Sequence, residues 1–296
     1  MCSLMIIFCC LTPGADPGPG ENLVLKELVE AGIAMPEGGA VKLPAPTMPD
    51  GLDAKQQHDA IAKLPGIRHS VADLTRKSAV APFELQKTRS TAAGKGDAGV
   101  WRVDAWFVVY ADLEEVAQED FLKRWSKLGG GKDENGDVSR AGKLSDEEVA
   151  GRKLFYGDGE HKDEYFLYST FELFDKVQLS ATRHAMISRS EESLLVAAQV
   201  DSRFADDADY PNEWRPMKRD ELGKIEVGKP LPYEGAGFYA KVTRLKEPAG
   251  ALFIEYHQAF HEPKAWFKGA NLLGSKIPIL AQDSVRDFRR KLMAKD

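Results

Sequence analysis

The feature that most constrains the fold is the C-terminal run from Gly235 to Met293, which reads as strand, tight turn, strand, short link and closing helix. In GFYAKVTRL, side chains alternate with period two, so Phe238, Ala240 and Val242 share a face. EPAG (Glu247 to Gly250) supplies turn chemistry. ALFIEYHQAFH then places Leu252, Ile254, Tyr256 and Phe260 on one face, and Glu255, His257 and His261 on the other, which reads as solvated. After Pro278, Ala281, Val285, Phe288 and Leu292 recur at helical spacing, with Arg286, Arg289, Arg290 and Lys291 directed elsewhere. A hairpin covered by one amphipathic helix predicts an α+β fold: a mainly antiparallel sheet closed by a long C-terminal helix.

The segments upstream supply the rest of that sheet. FELQKTRS, VWRVDAWFVVYAD, EYFLYSTFELF, KVQLSATRHAMIS and SLLVAAQVDSRF all read as strands. The second of these is apolar on both faces in its later half, so cover is expected on both sides there. LEEVAQEDFLKRWSKL reads as a helix burying Val116, Phe121, Leu122 and Trp125. ADDADYPNEWRPMKRDELGKIEVGKPLPYEG reads as a polar loop, with Tyr210, Trp214 and Arg215 placed to line a cavity mouth or anchor the loop. Residues 21–80 form a helical and extended arm with too few large apolar residues for a core of its own. Asp53 is the expected N-cap of DAKQQHDAIAKL, which Pro65-Gly66 ends. Residues 81–296 then make the main α+β domain, with an acidic insert at 129–157.

Residues 1–20 pair an apolar run, Leu4 to Leu11, with a small, proline-rich stretch. This has the shape of a signal peptide lacking a basic n-region, with Ala15 the last residue removed, and predicts an exported protein, periplasmic or extracellular. The run is too short to span a membrane. Cys2, Cys9 and Cys10 all precede the cleavage point after Ala15, so cleavage leaves a chain without thiols. The formal charge of −6 argues against a polyanion-binding surface, and no nucleic-acid partner is expected.

The order of strands, helix, antiparallel strands and closing helix resembles the helix-grip fold of the START and polyketide-cyclase superfamily. The residues bearing the likeness are ALFIEYHQAFHEPKAWFKGANLLGSKIPILAQDSVRDFRRKL, Ala251 to Leu292. Superfamily members likewise run last strand, proline-containing link, Asn-bearing segment and basic amphipathic helix. The N-terminal arm and the 129–157 insert depart from the usual compact domain. The resemblance implies a hydrophobic cavity for a lipid or other apolar ligand, in a carrier or in an enzyme.

Among chemistry-bearing residues, Arg183 is the sharpest. It interrupts the stripe Val177, Leu179, Ala181, Ala185, Ile187, placing a guanidinium among apolar neighbours. It is either half of a structural ion pair, or the holder of an anionic head group. With Trp101, Phe107, Leu179, Phe238, Ile254 and Tyr256 it forms the expected wall of a cavity for an apolar or acidic amphipathic small molecule. Asp133, Asn135, Asp137 and Glu148 resemble a calcium loop, interrupted by Val138 to Ala141 where a glycine is required; Ser145 and Glu148 equally suit a capping box. His257 and His261 have generic spacing, and no metal or cofactor is expected. Neither a GxSxG elbow nor a phosphate-cradling glycine loop occurs. The function expected is non-catalytic ligand binding. The alternatives are an enzyme using Arg183 and Tyr256 on the same scaffold, or an envelope protein with a filled interior.

Overall fold

The structure, a computed structural model, describes residues 22–36, 38–90, 98–117, 141–154, 163–267 and 271–294. The signal-like segment 1–20 with its cysteines, the 91–97 loop, Phe121, Leu122, Trp125, Asp133, Asn135 and Asp137 lie outside the described residues.

Short elements open the chain. Helix α1 (Leu23–Lys26) is capped by Asn22, whose side chain accepts from the Leu25 N–H, and continues as a π-type turn, Glu27–Ala31. Gly32 ends it at φ +85°, where a Cβ would strike the Val41 backbone. Strands β1 (Ile33–Ala34) and β2 (Ala40–Val41) pair as a small hairpin. An extended stretch leads to α2 (Ala54–Ala62), capped by Asp53 as its sequence predicts, and to α3 (Val71–Leu74), capped by Ser70.

The body begins with β3 (Glu84–Ser90), β4 (Gly99–Tyr110) and α4 (Leu113–Val116). It continues through β5 (Ala141–Lys143), α5 (Asp146–Gly151), β6 (Glu164–Leu173), β7 (Val177–Arg189) and β8 (Ser193–Val200). Strands β9 (Glu213–Arg219), β10 (Ile225–Val227), β11 (Leu231–Pro232), β12 (Ala236–Arg244) and β13 (Ala251–Glu262) follow, and α6 (Leu272–Met293) closes the fold. Strands β3 to β13 make one antiparallel sheet whose main path is β10-β9-β7-β8-β12-β13-β4-β3. Strand β6 pairs along β7 on its other side, with β5 beyond it. This is the α+β class predicted, a large antiparallel sheet with a long C-terminal helix.

Strand β7 forks. Its first residues, Val177–Ser180, pair with β9, and its later residues, Arg183–Arg189, pair with β8. Asn212 fills the gap: its Oδ1 accepts from the Thr182 N–H at 2.8 Å and its Nδ2 donates to the Asp201 carbonyl at 2.7 Å. Register therefore places Arg183 on the inner face where one neighbouring strand gives way to another.

Helix α6 covers that inner face. Val285, Phe288 and Leu292 join Phe107, Val109, Ile187, Val196, Val242 and Ile254 in the largest core cluster. The Phe107 and Phe288 rings meet edge to face, 6.2 Å between centroids. The helix starts six residues before Pro278, rather than after it as the sequence reading places it. A helical N–H at position 278 would bond to the carbonyl of residue 274. The Gly274 carbonyl is taken instead by the Lys87 ammonium, so the proline leaves no acceptor stranded. Asn271 caps the true start through the Gly274 N–H at 3.2 Å.

Two further expectations are corrected. The segment read as a polar loop contains β9, β10 and β11, disguised by its charges and Pro216; in β9 only Trp214 and Met217 are buried. The face bearing Glu255 and His257 is not solvated: both residues are 0% exposed. Val24, Leu28, Ile33 and Leu43 pack over Met186, Leu195, Ala197 and Tyr239. Met48, Ile61, Leu64 and Leu74 pack over Trp106, Val108 and Phe253. The sheet thus lies between α6 and the N-terminal arm. Among the described residues, no helix is long and apolar enough to cross a membrane.

Candidate functional site

Period-two alternation along β7 carries Arg183 inward, and the structure leaves it 9% exposed. Its Nη1 donates to the buried Ser169 Oγ on β6 at 2.7 Å. Beside it is a cavity of about 80 Å³ between the sheet and the first half of α6. Phe171, Leu179 and Phe238 form its sheet wall, Ile277 and Leu280 its helix wall, and Tyr233 and Gln258 its polar edge with Arg183. Trp266 closes the end, stacked on Tyr233 at 5.6 Å.

Electrostatics fix the protonation around the guanidinium. Burial pushes the phenols of Tyr233 and Tyr256 well above the ordinary tyrosine range, with Arg183 opposing the shift to a lesser degree. Both remain neutral donors. The Tyr256 hydroxyl donates to Gln258 Oε1 at 2.8 Å, which turns the amide nitrogen of Gln258 away from that contact and makes it available as a donor. A cation and a side-chain amide on an otherwise apolar wall can orient an anion. Among the described residues, no nucleophile paired with a base lines the cavity.

The residues expected to line a cavity divide. Arg183, Leu179 and Phe238 do so. Tyr256 lies behind Phe238, 5.9 Å between ring centroids, and reaches the cavity only through Gln258. Phe107 and Ile254 belong to the filled core against α6. Trp101 packs in the cluster that includes Leu179 and Ile277, but its Nε1 donates to Glu262 at 2.7 Å. Sequence reasoning missed Gln258, which shares the face of Ile254 and Tyr256 by simple alternation. It also missed Ile277, which helical spacing would have revealed had the helix been read through Pro278. Tyr233 and Trp266 sit in connections where no period applies.

A second polar group lies on the opposite face of the sheet. His257 Nδ1 is 2.7 Å from Asp104 Oδ1 and its Nε2 is 3.7 Å from Glu255 Oε2. Burial disfavours the charged ring, but the hydrogen bond to Asp104 and the proximity of Glu255 outweigh it, so His257 titrates above its ordinary value. Glu255 accepts the Thr47 N–H at 2.7 Å, and Lys241 Nζ donates to the Met48 carbonyl and to Asp50, both at 2.8 Å. These bonds fasten the arm to the sheet. Glu148, the distal residue of the calcium-loop reading, forms the capping box of α5 with Ser145 and accepts the Tyr210 hydroxyl.

No protein-family model matches the chain, and no curated protein matches it. Among solved structures it is similar to human STARD10, with 11% identity and a TM-score of 0.30 over 71% of this chain and 78% of that one. It is also similar to an uncharacterized protein from Rhizobium leguminosarum, with 10% identity and a TM-score of 0.30 over 71% and 99% of the two chains. For CalU16 from Micromonospora echinospora the figures are 12% and 0.19, over 72% and 97%. Values this low leave function to be read from the chain's own residues.

Proposed function

We propose that the protein binds a small acidic molecule with an apolar body in the cavity beneath α6. The observation behind this reading is Arg183: a buried guanidinium at the edge of a cavity whose other walls are aromatic and aliphatic. The planar fork of an arginine matches a carboxylate or phosphate, and the apolar walls supply affinity through buried area. Gln258 supports one oxygen of the head group. A volume of about 80 Å³ suits a carboxylate with a short chain or small ring. Pockets for drug-sized ligands run to several hundred Å³.

Calorimetric titration with straight-chain acids from butyrate to octanoate tests this. Affinity should rise with chain length until the cavity is filled. Arg183→Met should weaken binding by about 1.5–3 kcal/mol, the range for a charged hydrogen bond. Equal affinities in both proteins would remove the role given to Arg183. Export is part of the same proposal, on the pattern of Leu4 to Leu11. N-terminal sequencing of the native protein should find a chain beginning after Ala15; an intact apolar segment would oppose export.

A further inference from the structure

On the other flank of α6, toward the edge strand β3, lies an open cleft of about 380 Å³. Its floor is apolar, made by Phe83, Leu85, Pro278 and Val285. Its polar lining includes Arg68, His69, Arg286 and Arg289, and among the described residues no carboxylate lines it. In a chain with net charge −6, three guanidiniums around one apolar floor are a local inversion.

The four basic residues differ in how they are held. Glu84, behind the wall, accepts the backbone N–H of Arg68 and of His69, the His69 ring lies 2.9 Å from the same oxygen, and the Arg68 Nε lies 3.6 Å from its other oxygen, so Glu84 offsets the charge of Arg68. Arg289 is 3% exposed and donates to three carbonyls: Val108 at 2.9 Å, Pro82 at 3.1 Å, and Ala81. Burial lowers its pKa to about 10, so it stays charged at neutral pH. Arg286, one turn earlier on α6, is half-buried at the cleft wall. Among the described residues, neither Arg286 nor Arg289 has an ion-pair partner. Arg289 braces the 81–82 stretch and sets a fixed positive charge beneath the floor; Arg286 is the group placed to meet a ligand.

We infer that this cleft is a second binding site, for a small anion with an apolar body. Its oxyanion meets Arg286 in the field of Arg289, and its body rests on Phe83, Leu85 and Val285. The volume falls in the range of sites that enclose small organic ligands. The head group is a carboxylate or a phosphate, which share the planar or tripodal oxygens that arginine recognises.

The test is fluorescence titration of the full chain with 8-anilinonaphthalene-1-sulfonate, an aromatic anion that brightens when its body leaves water. Saturable binding is expected. Arg286→Gln, which keeps length and removes charge on a partly exposed residue, should weaken it about tenfold. Arg183→Met should leave it unchanged, since that residue belongs to the other cavity. Displacement by hexanoate assigns a carboxylate head group, and displacement by hexyl phosphate assigns a phosphate. The inference is overturned by non-saturating fluorescence, by equal affinity in Arg286→Gln, by loss of binding in Arg183→Met, or by displacement with neither competitor.

Discussion

The two faces of the central sheet are closed by opposite means. The inner face meets α6 through Phe107, Ile254, Val285 and Phe288, an apolar contact without direction, and it leaves a cavity beside Arg183. The outer face meets the N-terminal arm around Asp104, Glu255, His257 and Lys241, buried polar groups of which Glu255 and Lys241 bond to the backbone of Thr47 and Met48, while the Tyr239 hydroxyl donates to the Pro44 carbonyl. An apolar contact tolerates a gap at modest cost, whereas a buried charge without its partner does not. The face with spare room is therefore the one assigned a ligand, and the polar face serves as a fastening.

The largest expected effect follows from cutting that fastening. Glu255→Leu removes the acceptor of the Thr47 and Met48 N–H groups and leaves His257 with Asp104 alone. Breaking a buried pair from one side costs about 3–5 kcal/mol, so urea unfolding should register a loss of that order. A loss below about 1 kcal/mol, within the range of ordinary surface changes, would erase the contrast between the faces.

Phe288→Ala comes next. Its ring is fully buried against Phe107, and truncation should cost about 3 kcal/mol. Because the inner contact is non-directional, Phe288→Leu should recover most of the loss, while no single replacement of Glu255 should do the same. Recovery on both faces would show that they are held alike.

How much of this the chain announced differs by face. Alternation along β7, β12 and β13 identified the inner face and the inward Arg183 directly, and helical spacing along α6 identified the buried Phe288. The outer face was misread because Glu255 and His257 look like solvated residues when only their own strand is considered. What buries them lies some 200 residues earlier, in a proline-rich stretch with no periodic signal. Pro278 hid the first turns of α6, and hence Ile277 of the cavity wall, because the Lys87 contact that satisfies Gly274 is also remote in sequence. Local pattern is legible wherever a residue's environment is set by its own element; the misreadings of the outer face and of α6 both involve a partner supplied from far away, whereas β9 to β11 were hidden by their own charges and Pro216.

A pH series sharpens the comparison at smaller amplitude. The folded-state pKa of His257 is raised above the ordinary value near 6.5. Its contribution to stability is therefore complete below about pH 6.5 and is lost as pH rises through the raised value. Wild-type stability should fall over that window relative to His257→Gln, measured by urea unfolding at each pH. Parallel curves would mean that the ring is neutral and that Asp104 and Glu255 hold the arm without it.

The smallest effect on stability should come from Arg183→Met, about 1–2 kcal/mol, the cost of taking one donor from the buried Ser169 hydroxyl. That variant isolates function from fold. The most direct measurement is a crystal structure of the protein grown with butyrate. The account predicts carboxylate density within hydrogen-bond distance of the Arg183 guanidinium, near Gln258, with the chain between Phe238 and Ile277. A cavity holding only water while butyrate is present at saturating concentration would contradict it.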